Sequence, residues 1–459
     1  MSAHRERVAE ALDGGWSFAG LYAVAAGGPV RTVLVSDGGE LRIETVAPID
    51  GAVPSIVDLA PAGWDEREAH DVYGIRFEGH EPLRPLVAHD LDVSAWTVPV
   101  EGQDPYQVAV GPIHAGVIES GHFRFHLVGE KILHLDARLF YKHRGLERAA
   151  EGTSLAEGLR YVSRACAACS VTNAVAYAQA VEESRGRHPT TELARARTVL
   201  LELERVWSHL NDISAICAGT GLAAGAQRFA GLTERARRLN EQLTGHRFLF
   251  GTVTIGGSDL TVDAVAVAAA REELDRLRDE SASGWRELVF NRSFDDRLVD
   301  VGIVRGRDAR RLGAVGPAAR AGGLAVDVRA VSPRLAYDDF APVTSSRGSG
   351  DVKSRLEQRH IELVQSFQLL ETLLARPLGP TAAENGAPPR AVAASRVESP
   401  RGATLCVVER DGDRLSRVHL RTGSYANWPV VAFAAAGNML PDFPLINKSF
   451  ELCYACADR

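Results

Sequence analysis

The fold of this chain is most restricted by two short segments, RACAAC (residues 164–169) and CYAC (residues 453–456). In each segment two cysteines stand three positions apart, so both thiolates can bind one metal from one side of a turn. The two pairs are separated by 284 residues, whereas the pairs of a zinc ribbon lie roughly 15–20 residues apart. A site built from both pairs brings the end of the chain back onto its middle. Such a closure is atypical of a structural zinc module and fits a cofactor buried between domains.

Four thiolates form a soft ligand set that suits zinc, an iron–sulfur cluster, or nickel and iron. The residues alone leave these metals open. The other two cysteines, Cys217 and Cys406, are single, and we interpret them as core residues because free cysteine behaves as a small buried hydrophobe. Six cysteines in 459 residues are too few for a disulfide scaffold.

The composition is typical of a soluble protein, with 45% hydrophobic and 24% charged residues. At roughly 150 residues per domain, this length predicts about two to four domains. The net charge of −7 argues against sequence-independent binding of nucleic acid or of an anionic membrane surface. No apolar run approaches the roughly 18 residues of a membrane span, and the start lacks the apolar core of a signal peptide. We therefore expect a cytoplasmic chain without nucleic acid, whose membrane association comes through partner subunits.

The hydrophobic pattern predicts an α+β fold. Apolar residues at helical spacing predict helices over 192–216 and 351–374, and alternation around Asp411-Gly412 predicts a strand pair over 403–421. We expect three parts: a small N-terminal α/β domain (residues 1–90), a connector (91–110), and a mostly helical catalytic domain with small peripheral sheets (111–459).

Six longer motifs follow one another along the chain: EREAHDVYGIRFEGHEPLRPL (66–86), GPIHAGVIESGHFRF (111–125), VGPAARAGGLAVDVR (315–329), SGDVKSR (349–355), ESPRG (398–402) and GNMLPDFPLINKSFELCYACADR (437–459). With the two cysteine pairs, they resemble the large subunit of nickel–iron hydrogenases. The likeness is to the energy-converting, membrane-bound group that is related to respiratory complex I, and formate hydrogenlyase is the most similar kind. The first motif resembles the small hydrophilic subunit of complex I, and the others resemble the quinone-site or catalytic subunit.

The resemblance implies a subunit that interconverts H2 with protons and electrons. It also implies that an iron–sulfur small subunit receives the electrons, because the chain has no cysteines left for a cluster. Integral membrane antiporter-like subunits would hold the complex at the inner face of the cell membrane, and maturation factors would insert the nickel. In this family a protease trims the precursor just past the last cysteine, so we expect a mature form or a gene without that tail.

The resemblance also implies roles for single residues. Four cysteines would hold the nickel: Cys166, Cys169, Cys453 and Cys456. Cys169 and Cys456 would also bridge to an iron that carries carbonyl and cyanide ligands. Arg401 would lie over the open metal position and polarise H2, and Glu119 would relay the proton from a cysteine thiolate. Three further residues are expected to be site-lining or structural: His122 in the 111–125 motif, and Tyr141 and His143 in the segment YKHRGLE (141–147), which is part of the same resemblance.

The chain departs from the family pattern at three places. Ala167 replaces a glycine of the first cysteine motif, Asn173 replaces a histidine that lies near the bridging thiolates, and Glu451-Leu452 replaces Asp-Pro. None of these changes removes an expected metal ligand. Asparagine still donates a hydrogen bond but does not titrate, so altered or lost hydrogenase activity is one expectation that these departures raise.

Two other functions fit parts of the pattern. One is a nickel-free, complex I-like subunit of an NADH- or ferredoxin-linked quinone oxidoreductase, but the four cysteines argue against it. The other is a zinc-bound structural or assembly subunit, which the identity of the metal would separate from a hydrogenase. A nucleotide site is not expected, because the sequence has no GxGxxG motif after a strand and no P-loop.

Overall fold

The N-terminal residues form a three-stranded antiparallel sheet with helices and a short parallel strand pair beside it. A computed structural model describes residues 3–114, 119–260, 263–332, 334–338, 340–376, 378 and 381–459. Its first elements are α1 (Ala3–Asp13), β1 (Ser17–Ala23), β2 (Val30–Val35), β3 (Leu41–Val46), β4 (Ala52–Pro54), α2 (Ala62–Tyr73) and β5 (Arg76–Glu78). Helix α2 ends at Gly74, whose left-handed backbone (φ 69°) makes its C-cap.

The segment expected to be a connector contributes to a sheet. The elements after β5 are α3 (Val93–Trp96), β6 (Tyr106–Val110), β7 (His122–Val128) and β8 (Lys131–Arg138). Strands β7 and β8 form an antiparallel hairpin, and β6 pairs antiparallel with β7 as a third strand. The segment 91–110 therefore carries a strand whose partner lies beyond residues 115–118, which are outside the described residues.

Helices make up most of the middle of the chain, with three short strands between them in the part that the structure describes. They are α4 (Leu146–Ala150), α5 (Leu155–Ser163), α6 (Ser170–Ser184), β9 (Arg187–Pro189), α7 (Thr191–Gly219), α8 (Ala223–Thr244), β10 (Val253–Thr254), β11 (Gly257–Ser258), α9 (Ala264–Val289), α10 (Arg292–Asp296), α11 (Gly306–Arg311), α12 (Gly316–Ala321), a 3-10 turn (Val328–Val331) and α13 (Val352–Leu373). The predicted helices over 192–216 and 351–374 correspond to α7 and α13. These two helices pack against each other in the largest hydrophobic core. None of the helices within the described ranges is both long and apolar enough to cross a membrane.

A third three-stranded sheet and three helices complete the described part of the chain. The elements are β12 (Ala383–Asn385), β13 (Val392–Ser399), β14 (Gly402–Asp411), β15 (Arg414–Arg421), α14 (Gly423–Ala435), a 3-10 turn (Leu440–Asp442), α15 (Phe443–Phe450) and α16 (Tyr454–Asp458). The predicted strand pair corresponds to β14 and β15. The predicted α+β class is confirmed, since small separate sheets surround a helical core.

The N-terminal sheet packs face to face against the β13–β15 sheet. Tyr22 and Val33 share an apolar cluster with Leu405, and the hydroxyl of Tyr22 donates a 2.7 Å hydrogen bond to Glu409. Arg31 pairs with the same carboxylate at 2.9 Å. The N-terminal unit is therefore fixed to the part of the chain that carries the last cysteine pair.

Candidate functional site

The first cysteine pair lies in the tight connection between α5 and α6. Cys169 is the N-cap residue of α6 and Cys166 lies just before it. The carboxylate of Glu204 accepts hydrogen bonds from the backbone N–H groups of Val171 (2.7 Å) and Thr172 (3.1 Å) in the first turn of α6. Since these N–H groups have no partner within the helix, Glu204 fixes the helix start that carries Cys169.

The second cysteine pair lies at the start of α16. The N–H of Cys453 donates to the hydroxyl of Ser424 at 3.0 Å, and the hydroxyl of Thr422 donates to the carbonyl of Cys456 at 3.0 Å. A Cβ on Gly121 would lie 2.5 Å from the ring of Tyr454. The missing side chain of Gly121 therefore lets α16 approach the β7–β8 hairpin closely.

The structure brings all four cysteines together. The sulfurs of Cys166, Cys169 and Cys456 lie within 4.8 Å of one another, and the Cys453 sulfur lies 3.0 Å from that of Cys166. Cys169 and Cys456 are the most buried, with 2% and 0% exposure. Hydrogen bonds from Cys166 and Cys456 lower the pKa of Cys169 to about 6, against the opposing effect of burial. This donor set fits one soft metal centre, either nickel with iron or zinc.

Arg401 lies in the turn between β13 and β14, next to the cysteine cluster. Its Nη1 and Nη2 atoms donate to the two carboxylate oxygens of Asp212 at 2.7 and 2.9 Å, and its Nε has no hydrogen-bond partner among the described residues. Burial disfavours the charged guanidinium. Asp212 and, less strongly, Cys169 and Cys453 outweigh this effect and raise the pKa of Arg401. Arg401 is therefore a fixed cation whose charge is felt at the sulfurs.

Glycines let the Arg401 turn pack against neighbouring backbone. Gly316 has φ 67°, and a Cβ there would lie 2.4 Å from Cα of Gly402, which itself has φ 120°. The side chain of Asn427 links the same segments, because its Nδ2 donates to the carbonyl oxygens of Val315 and Arg401. These contacts explain why glycines stand in the VGP and PRG segments.

A row of buried ion pairs continues from Asp212 into the core. His209 lies between Asp212 (Nδ1–Oδ2 3.6 Å) and Glu362 (Nε2–Oε2 3.1 Å). Glu362 pairs with Arg320 at 2.8 Å, and Arg320 also pairs with Glu398 at 2.8 Å. Neither Asp212 nor this row was predicted from the sequence. The signal was present, because four ionisable residues repeat every three or four positions on α7, a helix buried over most of its length: Glu202, Arg205, His209 and Asp212.

A cavity of about 780 Å³ opens beside Cys166 and Cys453. Glu119 lies at its wall, exposed to solvent, and its Oε2 accepts the N–H of Ala455 at 2.5 Å. Partial burial and the neighbouring Cys453 raise the pKa of Glu119, although the Ala455 hydrogen bond opposes this. The structure thus places Glu119 between the second cysteine pair and solvent.

The three departures from the family pattern all lie at or next to the site. Ala167 and Glu451 line the cavity. Burial and the negative charge of Asp212 raise the pKa of Glu451 to about 7. Asn173 lies one helical turn after Cys169 and is fully buried, and neither polar atom of its amide has a hydrogen-bond partner among the described residues. A buried amide without partners is costly, so Asn173 is expected to bond a group that the chain itself does not provide.

Three other motif residues lie away from the cavity wall. His143 Nδ1 contacts the carbonyl oxygen of Asp458 at 2.6 Å, so it helps to fix α16. His122 meets the Trp96 ring edge to face at 5.4 Å, and Tyr141 lies against the ring of His89 at 4.2 Å. Cys217 and Cys406 are fully buried in the main core, as interpreted from the sequence.

Comparison with protein families gives two matches. Residues 222–388 and 380–459 match the 49 kDa subunit of the respiratory-chain NADH dehydrogenase, and residues 23–100 match its 30 kDa subunit. The order of the two matches agrees with the fusion that the motifs predict.

Curated relatives are subunits of oxidoreductases. Formate hydrogenlyase subunit 5 of Escherichia coli K12 is 32% identical, over 88% of this chain and 77% of that protein. Hydrogenase-4 component G of the same organism is 31% identical, over 88% and 76%. Subunits C/D of NADH-quinone oxidoreductases are also similar.

A solved structure is similar over most of the chain. It is the membrane-bound sulfane sulfur reductase, an archaeal respiratory membrane complex. One of its chains matches with a TM-score of 0.71 and 28% identity, over 78% of this chain and 99% of that chain. The relatives are therefore parts of membrane-associated redox complexes.

Proposed function

We propose that this chain is the large catalytic subunit of a membrane-associated nickel–iron hydrogenase. The proposal starts from its family, because the chain belongs to the family of the 49 kDa subunit of respiratory-chain NADH dehydrogenase. The observation that carries this proposal is the convergence of four cysteine sulfurs beside Arg401, which Asp212 holds in place. The names of its relatives, formate hydrogenlyase and hydrogenase, support H2 as the substrate.

In this proposal the four cysteines hold a nickel–iron centre. Cys166 and Cys453, which line the cavity, would hold the nickel on the side that faces it. Cys169 and Cys456, the more buried pair, would hold the nickel together with an iron that carries carbonyl and cyanide ligands. When bound, this group supplies the place where H2 and two protons plus two electrons are interconverted. The soft thiolates suit such a redox-active metal pair.

The chain's own residues then provide charge and a proton route. Arg401 places a permanent positive charge next to the sulfurs. Its bidentate ion pair with Asp212 fixes the plane of the guanidinium group. Glu119 exchanges protons between the cysteine site and solvent, because its carboxylate contacts the N–H of Ala455 on one side and is exposed on the other.

The complex requires further subunits. Electrons pass to an iron–sulfur cluster in a partner small subunit, because Cys217 and Cys406 are single and buried in the core. Integral membrane antiporter-like subunits hold the chain at the cytoplasmic face of the membrane, and maturation factors insert the nickel. We assign residues 1–90 to the part similar to the small hydrophilic subunit, 91–110 to the connector and 111–459 to the catalytic part.

A nickel-free complex I-like subunit is the second candidate, and the similarity to NADH-quinone oxidoreductase subunits favours it. The two candidates are distinguished by isotope exchange between hydrogen gas and the protons of water, catalysed by the complex purified from its host. We expect activity in the wild type and in Cys406→Ser, whose thiol lies in the core. We expect none in Cys456→Ser, and its nickel should be lost. Full exchange activity in Cys456→Ser, or an inactive wild type that contains only zinc, would overturn the hydrogenase proposal.

A further inference from the structure

A second concave site lies where the N-terminal sheet meets the rest of the chain. This cleft, the junction cleft, has a volume of about 420 Å³ and is bounded by β3, α6, β13 and the 3-10 turn Val328–Val331. The β2–β3 turn closes one end tightly, because a Cβ on Gly39 would lie 2.8 Å from the carbonyl oxygen of Val331. The junction cleft is separate from the cavity beside the cysteines, and the two share no lining residue.

The junction cleft is strongly cationic, although the chain as a whole has a net charge of −7. Among the described residues its lining holds one carboxylate, Glu183, and four arginines: Arg31, Arg334, Arg390 and Arg396. Two of these arginines already pair with carboxylates of the chain. Arg31 makes two 2.9 Å contacts with Glu409, and Arg334 pairs with Glu183.

The other two arginines have unused hydrogen-bonding capacity. Arg390 is mostly exposed and meets Glu183 only at 3.9 Å. Arg396 is partly buried, and its guanidinium has no hydrogen bond or ion pair within the described part of the chain. Glu398, two residues further along β13, is not available, because it accepts from Arg320 at 2.8 Å and from the N–H of Val328 at 3.2 Å. Burial outweighs the charge of Glu398 and lowers the pKa of Arg396. A partly desolvated guanidinium without a hydrogen-bonded counter-ion is unfavourable, so the geometry calls for an anion.

We propose that the junction cleft binds a small, multiply charged anion of the phosphate class through Arg396 and Arg390. A guanidinium presents parallel N–H donors whose spacing matches two oxygens of one phosphate group. The walls contributed by Leu41, Ile43 and Val392 suit a small organic part that carries the phosphate. The volume falls in the range of small-ligand pockets. A bound anion would contact β13 directly below the N-terminal sheet and so tie the N-terminal unit to the catalytic part.

The test uses the purified full-length chain and pyrophosphate as the probe. Isothermal titration is expected to give saturable binding, and the thermal midpoint is expected to rise by about 2 °C or more at saturation. Arg396→Gln should weaken pyrophosphate binding at least tenfold. Arg307→Gln is the matched control, because Arg307 is 92% exposed on α11 and lies outside the cleft.

A second variant and a second probe complete the experiment. Arg396→Lys keeps the charge but loses the bidentate hydrogen-bonding geometry. Its affinity for pyrophosphate is therefore expected to lie between those of the wild type and Arg396→Gln. Succinate is expected to bind more weakly than pyrophosphate. Absence of pyrophosphate binding, equal binding by wild type and Arg396→Gln, or preference for succinate would each overturn the proposal. None of these results depends on hydrogenase activity.

Discussion

The guanidinium of Arg401 and the carboxylate of Asp212 face each other with two hydrogen bonds of 2.7 and 2.9 Å, although 189 positions separate them in the sequence. Asp212 lies on α7 and Arg401 in the turn after β13, so the pair links the helical core to the β13–β15 sheet. Arg359 also donates to Asp212 at 2.9 Å. Since two arginines converge on it, the pKa of Asp212 falls to about 2, even though burial opposes this.

The first prediction concerns this pair. Asp212→Asn leaves Arg401 without its carboxylate, and breaking a buried ion pair costs about 3–5 kcal/mol. We expect the thermal midpoint to fall and H2 turnover to drop at least tenfold while nickel is retained. Asp65→Asn is the matched control, because Asp65 forms a buried ion pair with Arg421 at 2.9 Å. It should lower the thermal midpoint but leave turnover per nickel unchanged. Equal turnover in both variants would contradict the assigned role of Asp212.

The second prediction concerns the buried amide of Asn173. Asn173→Leu removes two polar atoms without partners, so the metal-free chain should be stabilised by about 1–3 kcal/mol. In the metal-loaded enzyme the same change should shift the carbonyl and cyanide stretching bands, because an amide donor next to Cys169 is lost. Thr404→Val is the control, since Thr404 is also buried and its hydroxyl lacks a partner. It should stabilise the chain without moving the bands. Unchanged bands in Asn173→Leu would contradict a contact with the metal group.

The third prediction concerns the pH dependence of stability. His360 on α13 stacks on Trp285 of α9 at 4.0 Å, and burial lowers the pKa of His360 to about 4. The folded state therefore favours the neutral form of His360. The contribution of His360 to the free energy of unfolding is fully present above the unfolded pKa of about 6.5 and is lost as the pH falls towards 4. By pH 5 the loss is about 1–2 kcal/mol.

The variant His360→Phe keeps the stacked ring but cannot titrate. The fall in thermal midpoint between pH 7 and pH 5 should be smaller in this variant than in wild type. The same fall in both proteins would show that His360 is not the group responsible.

The fourth prediction concerns the close approach of α16. Gly121→Ala puts a methyl group 2.5 Å from the Tyr454 ring, and such overpacking costs about 1–3 kcal/mol. Because Tyr454 lies between Cys453 and Cys456, metal content should fall together with the thermal midpoint. Gly231→Ala on α8 meets no atom within 4 Å and is expected to stabilise the helix by up to about 1 kcal/mol. Full metal content in Gly121→Ala would contradict the coupling of this glycine to the cysteine site.

The helices and strands that were predicted correctly carry signals in their own local sequence. Helix α13 follows an Asp351 cap and repeats apolar residues at helical spacing, and the β14–β15 pair turns at Gly412. Pairings between distant segments were not predicted. Strand β6 pairs across residues 115–118, and β9 pairs with β12 from almost 200 residues away. Such pairings depend on where the intervening helices bring the chain, which local periodicity does not show.

The candidate site shows the same contrast between residues with a local sequence signal and pairings between distant segments. The cysteines and Arg401 stand in recognisable motifs, so the resemblance pointed to them. Asp212 and Glu204 lie on a helix that was predicted from its apolar face alone, and their partners are remote in sequence. The junction cleft was also missed, because its arginines come from three separate segments.

The central claim is that the four cysteines hold a nickel–iron centre. The most direct test is metal analysis and infrared spectroscopy of the complex, purified without oxygen from its own host. The account predicts nickel and iron in equal amounts at this site, together with bands from carbonyl and cyanide ligands. Zinc alone, without such bands, from cells whose other nickel–iron enzymes are matured normally, would contradict it and leave the cysteines with a structural role.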